Sequence, residues 1–122
     1  MSRIIKTTAE VITTDWESDW YNADSKSDSD KEVASNGTTP KEFIVQAGLL
    51  DVTGTPDANS KIQILSTIQG QSETIEYEQA ITADNINDAW SFDGIKGNAI
   101  KVKAFIGGLD SFKLAVDYDA IY

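Results

Sequence analysis

Two stretches near the end of the chain alternate apolar and polar residues with a period of two, a rhythm that suits extended backbone, where successive side chains point to opposite faces. Ile100, Val102, Ala104 and Ile106 oppose Lys101, Lys103 and Phe105; Gly107-Gly108 turns the chain; Phe112, Leu114, Val116 and Tyr118 then oppose Lys113, Ala115 and Asp117. A helix would need apolar residues three and four apart, which neither stretch provides. The pair reads as a closing hairpin, each strand offering one face to a core.

The same alternation recurs upstream. From Arg3 to Thr14, Ile5, Thr7, Ala9, Val11 and Thr13 share one face and Lys6, Thr8 and Glu10 the other, a long Thr-rich strand. Phe43, Val45 and Ala47 alternate with Ile44 and Gln46 before the Thr53-Gly54-Thr55-Pro56-Asp57 turn, and Ile62, Ile64, Ser66 and Ile68 oppose Lys61, Gln63, Leu65 and Thr67. In Thr74 to Ile81, Ile75, Tyr77 and Ile81 oppose Glu76 and Glu78; Thr82 to Asp88 has room for one helical turn; Trp90 and Phe92 share a core face before an Asp93-Gly94 turn. Seven or so short strands without an amphipathic helix predict an all-β fold, an antiparallel β-sandwich of jelly-roll-like kind. With 122 residues, one domain is expected to span the whole of residues 1–122.

Between Asp15 and Pro40 the pattern breaks into the acid-and-aromatic cluster Asp15-Trp16-Glu17-Ser18-Asp19-Trp20-Tyr21 and then a Ser/Asp-rich run. A structureless connection that long is unusual inside a compact domain, so this segment is either a functional excursion or hides a short strand around Trp16 to Tyr21.

Composition narrows the chemistry. The chain has no Cys, which excludes disulfides and thiolate sites, and no His, which removes the commonest general base and transition-metal ligand. A net charge of −10 repels nucleic-acid phosphates and anionic lipid, so neither nucleic acid nor membrane is expected as a partner. Met1-Ser2-Arg3-Ile4-Ile5-Lys6 lacks the apolar core of a secretory leader, and no segment approaches the ~20 apolar residues needed to span a bilayer, so synthesis and assembly in a cytosol are expected.

No constellation reads as an active site, and no enzyme or cofactor is expected. Asp24, Asp28, Asp30 and Glu32 offer hard oxygen ligands at alternating positions, but Lys26 and Ser35 stand where an EF-hand needs ligands, so a solvated loop is favoured over a divalent-ion site. Glu76 and Glu78 would lie about 7 Å apart on one strand face, within glycosidase spacing, though alternating Glu is ordinary on an exposed strand. Trp16, Trp20 and Tyr21 could stack a sugar, line a protein interface or pack within the domain. Ile121 and Tyr122 are apolar at the end of the chain and should pack against the domain or a neighbouring subunit. Leu65, Phe105 and Ala115 fall on faces opposite the inferred core, as a contact patch or beneath a covering layer.

The segments Leu50-Asp-Val-Thr-Gly-Thr-Pro, Lys61-Ile-Gln-Ile, Gly97-Asn-Ala-Ile-Lys-Val-Lys-Ala-Phe-Ile-Gly-Gly and Phe112-Lys-Leu-Ala-Val-Asp-Tyr resemble small virion proteins of tailed bacteriophages, of the capsid decoration (cement) or head-fibre type. The resemblance implies a β-sandwich, often a homotrimer, that binds the major capsid protein or another virion protein on the outer capsid surface. It transfers no functional residues. Trp16, Trp20, Tyr21, Ile121 and Tyr122 are then the expected partner-binding residues. The alternative is a carbohydrate- or receptor-binding module of a fibre, which predicts an exposed aromatic row.

Overall fold

The computed structural model describes residues 3–6, 11–22, 40–68 and 73–121, and among them the chain forms strands and turns only. In chain order the strands are β1 (Arg3–Lys6), β2 (Val11–Ile12), β3 (Trp16–Glu17), β4 (Tyr21–Asn22), β5 (Glu42–Gly54), β6 (Lys61–Thr67), β7 (Thr74–Ala80), β8 (Ala89–Ile95), β9 (Ala99–Phe105) and β10 (Leu109–Ile121). The first sheet runs β1-β10-β5-β8, with β2 also beside β10; the second runs β3-β9-β6-β7, with β4 also beside β9. All pairings are antiparallel and nested: β6 with β7, β5 with β8, β3 and β4 with β9, β1 and β2 with β10. One long hairpin has thus rolled up, adding the pairs β5·β10 and β6·β9 where its layers meet. That is a jelly roll.

The alternation puts the expected residues inside. Phe43, Val45, Ala47 and Leu49 of β5 and Phe112, Leu114, Val116 and Tyr118 of β10 meet Ile62 and Ile64 of β6 and Ile100, Val102 and Ala104 of β9 in one core. Each fully buried Val, Ile, Leu or Phe contributes roughly 1.5–3 kcal/mol of transfer free energy. Trp90 packs half-buried on this core beside Phe92, as its alternation requires. Among the described residues no helix is long and apolar enough to cross a membrane.

Several local expectations are corrected. β9 and β10 are not a hairpin, because their apolar faces must oppose each other across the core; the chain arches from one sheet to the other, with the Leu109 N–H donating to the Ile106 carbonyl at 3.0 Å. Gly107 makes that arch possible: its φ is 56°, and a Cβ there would meet Asp57 Oδ1 at 2.5 Å. At the N-terminal end Ile12, paired with Phe112, is buried, and Val11, paired with Lys113, is 56% exposed, the reverse of the face expected. Asp93-Gly94 is not a turn but a bulge inside β8, where Gly94 has φ 69° and its N–H donates to Glu42 Oε2 at 2.6 Å. Residues 82–88 form successive reverse turns, Asn85 N–H to Thr82 O and Asp88 N–H to Asn85 O, instead of a helical turn. Another bulge, around Asp51 at φ 51°, shifts the β5·β10 register and returns Val52 to the core side.

Candidate functional site

The segment after β2 crosses to the second sheet and docks as its edge on β9. Trp16 faces Ala104 and Glu17 faces Lys103, while Tyr21 faces Ile100, so one extra residue is accommodated between the two short strands. Ser18 manages the mismatch. Its N–H donates to the Val102 carbonyl at 2.9 Å, and its hydroxyl, instead of a peptide carbonyl, accepts the Val102 N–H at 2.9 Å. Asp15 extends the seam by accepting the Ile106 N–H on Oδ1 at 2.9 Å. The hidden strand around Trp16 to Tyr21 is therefore real but broken in two, and residues 23–39 lie outside the described residues.

This break separates the three aromatics. Trp16 packs half-buried against the core, and Tyr21 is 3% exposed with its ring tilted against Tyr118 at 6.0 Å. Trp20 goes to the opposite, outer face, its ring over Lys101 Nζ at 4.6 Å. They do not form a row for stacking a sugar. Buried as it is, Tyr21 serves the core and presents no ring to a partner. Ile121 closes β10 opposite Glu42 with 38% of its surface exposed, and Tyr122 lies outside the described residues, as do Asp24, Asp28, Asp30 and Glu32. Among the described residues no group of three or more acidic side chains is placed to hold a metal ion.

Lys101 is the centre of the outer face of the second sheet. Its side chain is only 8% exposed, bonded to Glu17 and, at 3.3 Å, to Glu73 Oε2; Glu73 Oε1 reaches Lys103 at 3.2 Å. Burial pulls the Lys101 pKa down, but the hydrogen bonds and charges of Glu17 and Glu73 more than reverse that, leaving it above its ordinary 10.5. The hydrogen bond from Lys103 holds the Glu73 carboxyl below its ordinary 4.5, against a smaller opposing effect of burial and with Lys101 adding to it. Leu65, flanked by Lys101 and Ile75 in the ladder, is 2% exposed although it faces away from the core. Phe105, on the same face, lies under Lys61, whose Nζ is 5.3 Å from the ring and 2.7 Å from Glu78 Oε1. Leu65 and Phe105 are thus covered, while Ala115 belongs to the other sheet.

The carboxylate pair on β7 does not share a face. A bulge shifts the register between Ile64 and Leu65, so Glu76 accepts from Ser66 Oγ at 2.8 Å on the inner side, whereas Glu78 joins Lys61 on the outer side.

The outer face of the first sheet has the opposite character. Val11, Lys113 and Leu50 lie side by side on β2, β10 and β5, with Val11 and Leu50 56% and 46% exposed. Ala115, Gly48 and Ala89 form the next outward row across β10, β5 and β8, and Asp117, Gln46 and Ser91 the one after. Beside Asp117 is a pit of about 30 Å³ lined by Ile44, Gln46, Asp117, Tyr118 and Asp119, and Asp117 Oδ1 is buried there with no hydrogen-bond partner among the described residues. Leu50 could have been found from sequence, since in Leu49-Leu50 one leucine of an extended strand must face outward. Lys101 could not: its partners Glu17 and Glu73 are distant in sequence.

No family model matches the chain, and no curated protein matches it. Among solved structures it is similar to a chain of the Bacillus endospore appendages, which form a family of disulfide-linked pili, at a TM-score of 0.35 and 8% identity over 100% of this chain and 92% of that one. A likeness at that TM-score carries no argument about function.

Proposed function

We propose that this chain is a structural protein of a tailed-phage virion, a capsid decoration (cement) protein that joins the outer capsid surface by surface contact and does no chemistry. The observation that carries this reading is the outer face of the first sheet, where Val11, Leu50 and Ile121 are exposed among small and polar side chains. Small-molecule sites are concave and run to about 300 Å³ or more. The pit on this face has about 30 Å³, so a flat protein surface fits it better than a ligand does. The titratable groups support the same reading, since Lys101 is held charged by two carboxylates and Glu76 and Glu78 are engaged on opposite sides of β6.

Cosedimentation with heads of the encoding phage tests it. The wild-type protein is expected to travel with the heads, and Leu50→Asp, with an unchanged circular-dichroism spectrum, to stay in the supernatant. Wild-type protein that remains in the supernatant overturns the reading.

A further inference from the structure

Resting on the reading of the first sheet's outer face as a contact surface, we propose that before assembly its occupant is a second copy of this chain, exchanged for the capsid surface on binding and seated face to face about a two-fold axis that crosses the strands over Ala115 and Gly48. The charges on β10 are arranged for this. Lys113 and Asp117 both point outward, two residues to either side of Ala115, since Leu114, Val116 and Tyr118 point into the core. Residues two apart on a strand are separated by roughly 6.5–7 Å. Rotation about an axis across the strands at Ala115 keeps β10 over β10 and reverses its direction. Lys113 of each copy then lies over Asp117 of the other, and the contact is made twice, as a two-fold interface requires.

Each row of the face has a matching role. The row on the axis, Ala115-Gly48-Ala89, has the smallest side chains on the face, which lets two sheets approach closely. A Cβ added at Gly48 would meet nothing nearer than the Asp88 carbonyl at 3.9 Å, so the outward space above it is open. Leu50 and Val11, flanking Lys113, supply the apolar contact, Leu50 coming to rest over Gln46 and Val11 over β1 of the second copy. The pit beside Asp117, about 30 Å³, is roomy enough to take a water-sized group such as an ammonium. Its buried Oδ1 lacks a donor among the described residues, and a buried acceptor left unpaired is costly. Lys113 of the second copy brings that donor; among the described residues it pairs with Asp51 Oδ2 at 3.3 Å, a partly exposed pair of little worth.

The experiment is light scattering on the full chain over a concentration series, with Lys113→Glu, Asp117→Lys and the double variant. A mass of two chains is expected for the wild type, each single charge reversal weakening self-association at least tenfold and the double variant restoring it, because the pair is exchanged between copies. A second measurement stands apart from the charges. The chain has no cysteine, so Ala115→Cys is expected to give a covalently linked pair with a mild oxidant or a short bismaleimide, whereas Ala80→Cys on the edge of the second sheet stays single. A monomer at millimolar concentration, a mass of three chains, or a dimer indifferent to the charge reversals and uncrosslinked at residue 115 overturns the proposal. The two readings fail separately: a monomer that Leu50→Asp releases from phage heads removes the second copy and keeps the contact face, and a charge-dependent dimer that ignores heads removes the decoration role and keeps the pair.

Discussion

The outer faces of the two sheets grow from the same alternation and end in opposite states. On the second sheet the outward residues Leu65 and Lys101 are almost fully buried, Lys101 beneath Glu17, Trp20 and Glu73, and only at the edge strand does an outward apolar residue, Ile75, stand 54% exposed among those described. On the first sheet the outward residues Val11 and Leu50 lie half in solvent, and an aspartate oxygen has no donor among the described residues. A sandwich needs only its inner faces to fold. What covers an outer face is a separate choice, made by the described residues for most of the second sheet and not for the first, and the open side is where another protein is to be sought.

Removing the cover or its contents is the most forceful way to test that contrast. Leu65→Ala is expected to cost about 2–5 kcal/mol, the usual penalty for emptying a buried leucine site, whereas Leu50→Ala on the open face should change stability by less than about 0.5 kcal/mol. Urea unfolding of the two variants measures both, and equal losses would erase the distinction between the faces.

A smaller effect is expected in the charges. Glu17→Gln with Glu73→Gln leaves the Lys101 ammonium buried against an aromatic ring and little else, a loss of about 1–2 kcal/mol after allowing for the half-exposed carboxylates. Lys101→Met removes charge and demand together and should fall within about 1 kcal/mol of the wild type. If Lys101→Met proves the worse of the two in the same unfolding experiment, the cation contributes more than its neutralisation.

The mildest test uses pH. The folded pKa of Glu73 lies below 4.5, so its contribution is present above that value and is lost as pH falls through the lowered one. The folded pKa of Lys101 lies above 10.5, so its contribution is complete below 10.5 and is lost as pH rises through the raised one. Thermal melts of the wild type should therefore lose ground to Lys101→Met at both extremes and hold it near neutrality. A constant difference between the two across the range would mean that the network carries no linked protons.

How much of this was legible beforehand depends on which interaction decided each feature. The core residues of β5, β6, β9 and β10 followed from alternation alone, because facing in or out is a local property of an extended chain. Partner strands are not local, so the arch at Gly107 was mistaken for a hairpin. Bulges were the second blind spot. One extra residue reverses every face after it, which put Glu76 and Glu78 on one side when they belong to two, and Trp16, Trp20 and Tyr21 together when they part. The open face of the first sheet is half visible in the sequence: alternation turns Ala115 away from the core, but it does the same for Leu65 and Phe105, which belong to the other sheet.

The nesting of the strand pairs also bears on how the chain finds this arrangement. Arg3 pairs with Tyr118, a contact between residues near opposite ends of the sequence, and forming it directly from an open coil would close a very large loop. The turn between β6 and β7 closes a small one. Once those strands have joined, β5 and β8 are brought near, and each further pair needs to close only the stretch still open beyond the last, the longest being the one between β4 and β5. A topology with distant contacts is in this way assembled from a succession of near ones, and the entropy of closing the whole chain is never met in a single step.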